Sequence, residues 1–133
     1  MSRSGYDDEP DNLSYICWRG AVASAIRGKR GQAFLKEMLA ALDALPKPEL
    51  IVNELEKDGE VCALGAVGRA RGLDMTDIDS NNSDMIAWKF AIPYTLACEI
   101  MYKNDQNYKA SPRARYEHMR KWIIANLRAR LKG

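Results

Sequence analysis

The chain has 133 residues, 47% of them hydrophobic, and a net charge of +2, which predicts one globular domain that can bury a core without disulfide bonds. No run of about eighteen apolar residues occurs, so the sequence predicts no transmembrane helix. The cysteines Cys17, Cys62 and Cys98 are isolated from one another, which argues against a disulfide framework and for a reducing cytoplasm.

The N-terminal segment carries an acidic cluster formed by Asp7, Asp8, Glu9 and Asp11. Such a charged segment has little apolar surface to bury, so residues 1–12 are predicted to be a mobile acidic tail. It also lacks the apolar stretch of a secretory signal, and we therefore expect no export. Residues 13–133 are predicted to form a single helical domain.

Two helices are predicted to follow this tail. The first begins near residues 12–14 and ends at Gly28, because apolar residues recur at helical spacing between these points. Residues 27–31 are basic and predict a flexible connector to a second helix over residues 31–45, which Pro46 ends. The predicted buried face of the first helix consists of Trp18, Ala21, Val22, Ala25 and Ile26.

Residues 50–64 allow two interpretations. Asp58 and Gly59 form a strong turn signal, which favours a short β-hairpin if both flanking arms are extended. The helix formers between residues 49 and 57 slightly favour a helical turn, with Gly59 as its cap. Residues 62–71 then predict a helix of small residues, suited to close packing against a neighbour.

The C-terminal half predicts three more helices. A polar loop over residues 73–83 leads into a helix capped by Asn82 or Ser83, and Pro93 requires a break near residues 91–92 before a new helix over residues 93–103. Ser111 is the predicted cap of the last helix. The buried stripe of that helix consists of Tyr116, Met119, Ile123, Leu127 and Leu131. The fold class is therefore all-α, a single compact domain of five or six helices, with the hairpin left open.

No motif for catalysis, metal binding or cofactor binding stands out. The single histidine, His118, is the one imidazole that could activate a thiol, and Cys62 would be the best nucleophile; we expect instead that the cysteines are core residues. Neither CxxC nor HxxxH spacing occurs. A calcium-like spacing of oxygen ligands from residue 77 fails at Asn82 and Trp88, where Gly and Glu are required. We expect no catalytic residues, no metal and no cofactor.

Basic residues supply the remaining candidates. Residues 87–100 have the spacing of a helix-turn-helix, but the second helix lacks the exposed Arg, Lys, Asn or Gln that would reach base edges. Eight Lys or Arg against one acid from residue 109 onward make the last helix a possible contact surface for nucleic acid. An ordinary solvated helix with cations near its C-terminus explains the same pattern.

Several segments together resemble a known group. They include Trp18-Arg19-Gly20, the RGKRGQ run at residues 27–32, the GEVCALGAVG run at residues 59–68, Asn104-Asp105 and the MRKW run at residues 119–122. The chain resembles small proteins encoded by bacteriophages and prophages of proteobacteria over nearly its whole length after residue 11. The resemblance implies a biological setting and supplies no catalytic residues. One departure is Phe90-Ala91-Ile92, where the group often has Phe-Gly-Ile.

These observations lead to one expected function and two alternatives. We expect a phage accessory protein without enzymatic activity that binds a host or phage protein complex in the host cytoplasm, for example as an anti-CRISPR-like inhibitor of a defence system. The first alternative is a nucleic-acid-binding accessory protein, and the second is a small thiol enzyme; no membrane partner is expected. The expected partner-binding residues are Arg19, Arg27, Lys29, Arg30, Arg69, Arg71, Asn104, Asp105, Arg120 and Lys121.

Overall fold

The computed structural model describes residues 12–106 and 109–127, and within these ranges the chain is mainly helical. The elements are α1 (Asn12–Arg27), α2 (Lys29–Asp43), β1 (Glu56–Lys57), β2 (Glu60–Val61), α3 (Ala63–Ala70), α4 (Ser83–Phe90), α5 (Tyr94–Asp105) and α6 (Pro112–Ala125). The predicted all-α class is confirmed. The tail predicted over residues 1–12 falls almost entirely outside the described residues, and Leu131 of the predicted stripe of the last helix also lies outside them.

The turn at residues 58–59 joins β1 and β2 into an antiparallel hairpin, with Lys57 paired to Glu60. Asp58 has φ 54° and Gly59 has φ 82°. Positive φ at both central residues is the signature of a type I′ turn, which matches the twist of the flanking strands.

The slight preference for a helical turn over residues 49–57 is wrong. The Ile51 amide donates to the Val61 carbonyl at 3.0 Å, and the Cys62 amide donates to the Leu55 carbonyl at 3.2 Å. The backbone of this segment therefore bonds across the hairpin rather than along a helix, and its local helix propensity is overridden by these pairings.

The connection between α1 and α2 is a tight corner in which Gly28 alone separates the two helices. The prediction of a flexible connector over residues 27–31 is therefore wrong. A Cβ at Gly31 would overlap the Ala25 carbonyl, so a glycine is what lets the start of α2 lie directly on the end of α1. The chain turns here by close backbone packing rather than through a loop.

Gln32 links this corner to the C-terminal end of α6. Its side-chain Nε2 donates to the Ile26 carbonyl at 2.7 Å and to the Asn126 carbonyl at 2.9 Å. Carbonyls at helix ends have no partner within their own helix. One amide therefore satisfies the C-terminal ends of both α1 and α6 and links them.

The core lies where α2 and α3 pack together and α1, α5 and α6 close around them. Its largest fully buried side chains include Phe90, Leu35, Met38, Leu42, Leu96, Ile100 and Met119. Two positions are directed outward from this core. Ala21, predicted to be buried, is exposed because it lies to one side of the inward stripe of α1. Trp88 is 76% exposed, since it lies on the opposite side of α4 from Ile86 and Phe90.

The remaining predicted boundaries are close to the structure. Helix α4 ends at a left-handed residue, Ala91, with φ 59°, and α5 starts after Pro93 as expected. Ser111 Oγ accepts the Ala114 amide at 3.1 Å and caps α6, with Pro112 at the first helical position.

Candidate functional site

The two most distinctive sequence segments, the small-residue helix and Asn104-Asp105, lie against each other. Asn104 is 2% exposed. Its Oδ1 accepts the Ala63 amide at 3.1 Å, and its Nδ2 donates to the Ile51 carbonyl at 2.9 Å. Asp105 accepts the Asn53 amide at 3.1 Å. Both side chains therefore bind backbone groups of the same domain.

Cys62 caps a second amide at the start of α3. Its Sγ accepts the Gly65 amide at 3.4 Å, and the side chain is buried. A Cβ at Gly65 would overlap the Leu55 carbonyl. The Cys-x-x-Gly spacing thus has a local cause, because the cysteine caps the helix and the glycine admits the hairpin backbone.

Arg19 forms a two-armed ion pair with Glu99, which is 1% exposed. Its Nη1 and Nη2 donate to the two carboxylate oxygens at 2.8 and 3.1 Å. A buried carboxylate needs such a partner to remain ionised. Arg19 therefore holds α1 to α5, and its guanidinium is directed to the interior.

Arg69 supports the hairpin. Its Nη2 donates to the Gly59 carbonyl and lies 3.4 Å from Glu56 Oε2. The side chain thus reaches from α3 to the tight turn and to β1.

Arg71 joins three elements. Its guanidinium donates to both Glu37 carboxylate oxygens at 2.6 and 2.7 Å and to the Phe90 carbonyl at 3.1 Å. It also lies 5.6 Å from the centre of the Phe34 ring, within cation–π range. The guanidinium lowers the pKa of the Glu37 carboxyl through this hydrogen-bonded pair.

The cations of α6 are mostly bonded within the domain. Arg120 Nε donates to Asp43 at 3.0 Å, Arg113 lies 3.4 Å from Glu117, and Arg115 is buried and donates to the Leu50 carbonyl at 2.9 Å. Burial lowers the pKa of Arg115. Lys121 is exposed. The other arginines of the basic C-terminal segment, Arg128 and Arg130, lie outside the described residues.

A second group of side chains, mostly cations, lies on the surface around the α1–α2 junction and the end of α4. We call it the basic corner, and it consists of Arg27, Lys29, Arg30, Trp88 and Lys89, all exposed. Arg30 joins the α1–α2 junction to the end of α4, because the Arg30 Nη2 donates to the Ala91 carbonyl at 2.9 Å. The Ala91 amide in turn donates to the Trp88 carbonyl at 3.2 Å. Lys89 Nζ lies 5.3 Å from the centre of the Trp88 ring.

The basic corner combines a large exposed aromatic side chain with four cations. Three of them, Arg27, Lys29 and Arg30, were expected from the sequence to bind a partner, whereas Trp88 and Lys89 were not. Helical spacing could have predicted that Trp88 is exposed, since it lies on the opposite side of α4 from the buried Ile86 and Phe90. The C-terminal end of α4 also carries partial negative charge, which the Arg30 guanidinium neutralises.

The alternative sites have less support. Among the described residues no hydrogen bond joins Cys62 to His118, which is exposed on α6. No group of three or more Cys, His, Asp or Glu side chains in those residues is placed to hold a metal ion. Burial raises the pKa of the Cys98 thiol, which favours its unreactive protonated form.

A polar cleft of about 350 Å³ lies between the segment that leads into β1 and the loop before α4. Glu54, Glu56, Asp79 and Ser80 are among its lining residues. Ser80 Oγ accepts the Leu55 amide at 3.0 Å, so part of the cleft's polar lining is used in holding the loop to the hairpin.

Comparisons of the chain with protein families, with curated proteins and with solved structures found no match. Within the residues that the structure describes, no helix is long and apolar enough to cross a membrane. The functional argument therefore rests on the surface chemistry of the basic corner.

Proposed function

We propose that this chain is a phage or prophage accessory protein that acts in the host cytoplasm by binding a macromolecule, without chemistry of its own. The phage setting rests on the sequence resemblance. The binding role rests on one observation, the exposed Trp88 with Lys89 beside its ring and Arg30 bonded to the end of the same helix. Inhibition of a host defence complex, as anti-CRISPR proteins do, is a concrete form of this role.

The composition of the basic corner supports protein binding. Tryptophan and arginine are enriched among the residues that carry most of the binding energy at protein interfaces. A largely exposed indole gains most when a partner covers it, and the four cations of the corner favour an acidic partner surface and speed its approach. The mechanism would be occlusion, in which the corner covers a surface that the partner needs for its own activity.

The alternative candidate is a nucleic-acid accessory protein. Its support comes from the basic corner, where Trp88 is exposed and Lys89 lies beside its ring. On α6, by contrast, Arg115 and Arg120 make bonds within the domain. An exposed Trp88 could stack on a base while the cations contact phosphates. This form of the function predicts binding that weakens steeply with salt, since phosphate contacts release counterions.

Affinity capture followed by reconstitution separates these functions. The chain is used as bait in bacterial lysate with and without nuclease, a captured protein is identified by mass spectrometry, and its affinity is measured after purification. Retention after nuclease and a defined affinity of the purified pair support the inhibitor function. Capture of nucleic acid alone, lost on nuclease treatment, favours the alternative.

Charge reversal then tests the surface. Changing Arg27, Lys29 and Arg30 to Glu is expected to abolish binding, and Trp88→Ala to weaken it by roughly 30-fold or more, as for a central interface residue. The matched control changes Lys36, Lys47 and Lys57 to Glu, which alters net charge equally at exposed positions outside the corner. Unchanged binding by the corner variant, with helical circular dichroism intact, would refute the assignment.

A further inference from the structure

The last turn of α4 carries Trp88, and it needs support from outside the helix. Trp88 is 76% exposed, so most of its indole lies outside the core. Helix α4 has eight residues, and isolated helices shorter than about 12–15 residues are marginal in water. The backbone from which Trp88 projects is therefore expected to fray unless neighbouring elements hold its C-terminal end.

The backbone closes this end with the two hydrogen bonds of a Schellman motif. The Ile92 amide donates to the Ala87 carbonyl at 3.0 Å, and the Ala91 amide donates to the Trp88 carbonyl at 3.2 Å. The motif requires a left-handed residue, here Ala91 with φ 59°. Glycine usually takes this position because a Cβ disfavours the left-handed conformation. An alanine there makes the end of α4 less stable by itself and adds to the need for outside support.

Two arginines from other elements bond the next two carbonyls, and we call this arrangement the arginine clamp. Arg71 Nη1 donates to the Phe90 carbonyl at 3.1 Å, and Arg30 Nη2 donates to the Ala91 carbonyl at 2.9 Å. Arg30 belongs to α2, whereas Arg71 directly follows α3. Carbonyls at a helix C-terminus have no partner within the helix, and the helix dipole favours cations beside them. The clamp therefore supplies the support that α4 needs at this end.

Arg71 is itself held by its surroundings. Its guanidinium donates to both Glu37 carboxylate oxygens at 2.6 and 2.7 Å, so all three of its nitrogens donate within the domain. It also lies 5.6 Å from the centre of the Phe34 ring and 5.9 Å from that of the Phe90 ring, and the two rings meet edge to face. The planar fork of a guanidinium suits such paired and stacked contacts. Arg71 therefore couples the position of α2 to the end of α4.

We propose that the arginine clamp holds the last turn of α4 in one conformation and thereby presents Trp88 to the partner, with Arg71 as a positioning residue. The inference rests on the proposed function, since the presentation of Trp88 matters through the partner that covers it. A surface group that is ordered before binding loses less conformational entropy when the partner arrives. Arg71, which the sequence led us to expect at the contact itself, acts here through Trp88.

Amide exchange and relaxation, measured by NMR on the free isotope-labelled chain, test the clamp. Arg71→Met should accelerate exchange of the Ile92 amide by about tenfold, as for the loss of one hydrogen bond from a charged donor, and should lower the heteronuclear NOE of residues 88–91. Arg120→Met is the matched control, because it also removes an ion pair with an α2 carboxylate, that of Asp43 at 3.0 Å, but lies on α6. It should leave both measurements unchanged. Equal acceleration at Ile92 and throughout α5 would show a global loss of stability and overturn the proposal.

Binding is the second measurement. With the partner protein purified after capture, Arg71→Met should weaken the affinity by roughly three- to tenfold, whereas Arg120→Met should bind as the wild type does. Unchanged affinity of Arg71→Met would overturn the proposal. Weaker binding with unchanged exchange at Ile92 would also overturn it, because Arg71 would then contact the partner directly. Exchange is measured on the free chain, so a failure to capture any partner would refute the proposed function, while the exchange at Ile92 would still decide whether the clamp orders α4.

Discussion

Asn104 and Ala63, which are 41 residues apart in the sequence, are joined by a hydrogen bond of 3.1 Å from the Ala63 amide to Asn104 Oδ1. The same side chain donates to the Ile51 carbonyl at 2.9 Å. One buried amide therefore caps the start of α3 and holds the segment that leads into the hairpin. The Asn-Asp element has a structural cause for its identity, independent of any partner.

The first prediction concerns this amide. Asn104→Leu removes a donor and an acceptor at once and leaves the Ala63 amide and the Ile51 carbonyl without their partner. The free energy of unfolding should fall by about 2–4 kcal/mol, because each buried unsatisfied group costs about 1–3 kcal/mol. Urea denaturation followed by circular dichroism measures it. Gln106→Leu, two residues further along and exposed, is the control and should change stability by less than about 0.5 kcal/mol. Equal effects of the two variants would contradict the assignment.

The second prediction concerns Arg19 and Glu99. Arg19→Met leaves a buried carboxylate without its ion-pair partner, so the free energy of unfolding should fall by about 3–5 kcal/mol. Combining it with Glu99→Leu should restore most of that loss, because the charge that needed a partner is then gone. Urea denaturation of the two single variants and the double variant forms a complete thermodynamic cycle. A double variant as unstable as the sum of both singles would rule out this account.

Local signals in the sequence predicted local structure well. The Ser111-Pro112 pair placed the start of α6, and the Asp58-Gly59 pair marked the turn whose positive φ values the structure contains. These signals work because capping and turn geometry depend on a few neighbouring residues. The α1–α2 corner was predicted as a flexible loop because its cause, the approach of Gly31 to the Ala25 carbonyl, depends on packing.

The roles of the arginines illustrate the same limit. Arg19, Arg71 and Arg120 appear on sequence grounds as surface cations. Their acidic partners stand 80, 34 and 77 residues away. Pairing at such separations is set by the fold, so charge counts alone do not distinguish a structural arginine from a binding one. Helical spacing alone predicts that Trp88 is exposed, but its place in the basic corner depends on the contact between Arg30 and Ala91, which are 61 residues apart.

The third prediction concerns pH. The Arg71 pair holds the pKa of Glu37 below its usual value near 4.5. A lowered pKa in the folded state means that the stabilisation is complete above the unfolded value and is lost as pH falls through the folded value. At pH 7 the free energy of unfolding of the wild type should exceed that of Glu37→Gln by up to about 1 kcal/mol, as for a partly exposed pair. The difference should shrink as pH falls below the usual carboxyl pKa near 4.5.

Urea midpoints of the wild type and Glu37→Gln across this pH range measure the effect. Glu117→Gln is the control, because its pair with Arg113 is highly exposed on both sides, with distances of 3.4 Å rather than 2.6 Å. The urea midpoint of Glu117→Gln should differ less from that of the wild type at every pH. A Glu37→Gln difference that grows on acidification would have the wrong sign.

The last prediction concerns Ala91, which adopts φ 59° at the end of α4. A left-handed conformation costs a residue with a Cβ about 1–2 kcal/mol, and glycine avoids that cost. Ala91→Gly should therefore raise the free energy of unfolding by about 1 kcal/mol, because Ala91 is exposed and no core contact is lost. The same substitution at Ala40, exposed within α2, should lower it by about 0.5–1 kcal/mol. Thermal or urea unfolding of the two variants should give changes of opposite sign, and a loss of stability in both would show that backbone conformation does not decide the effect at residue 91.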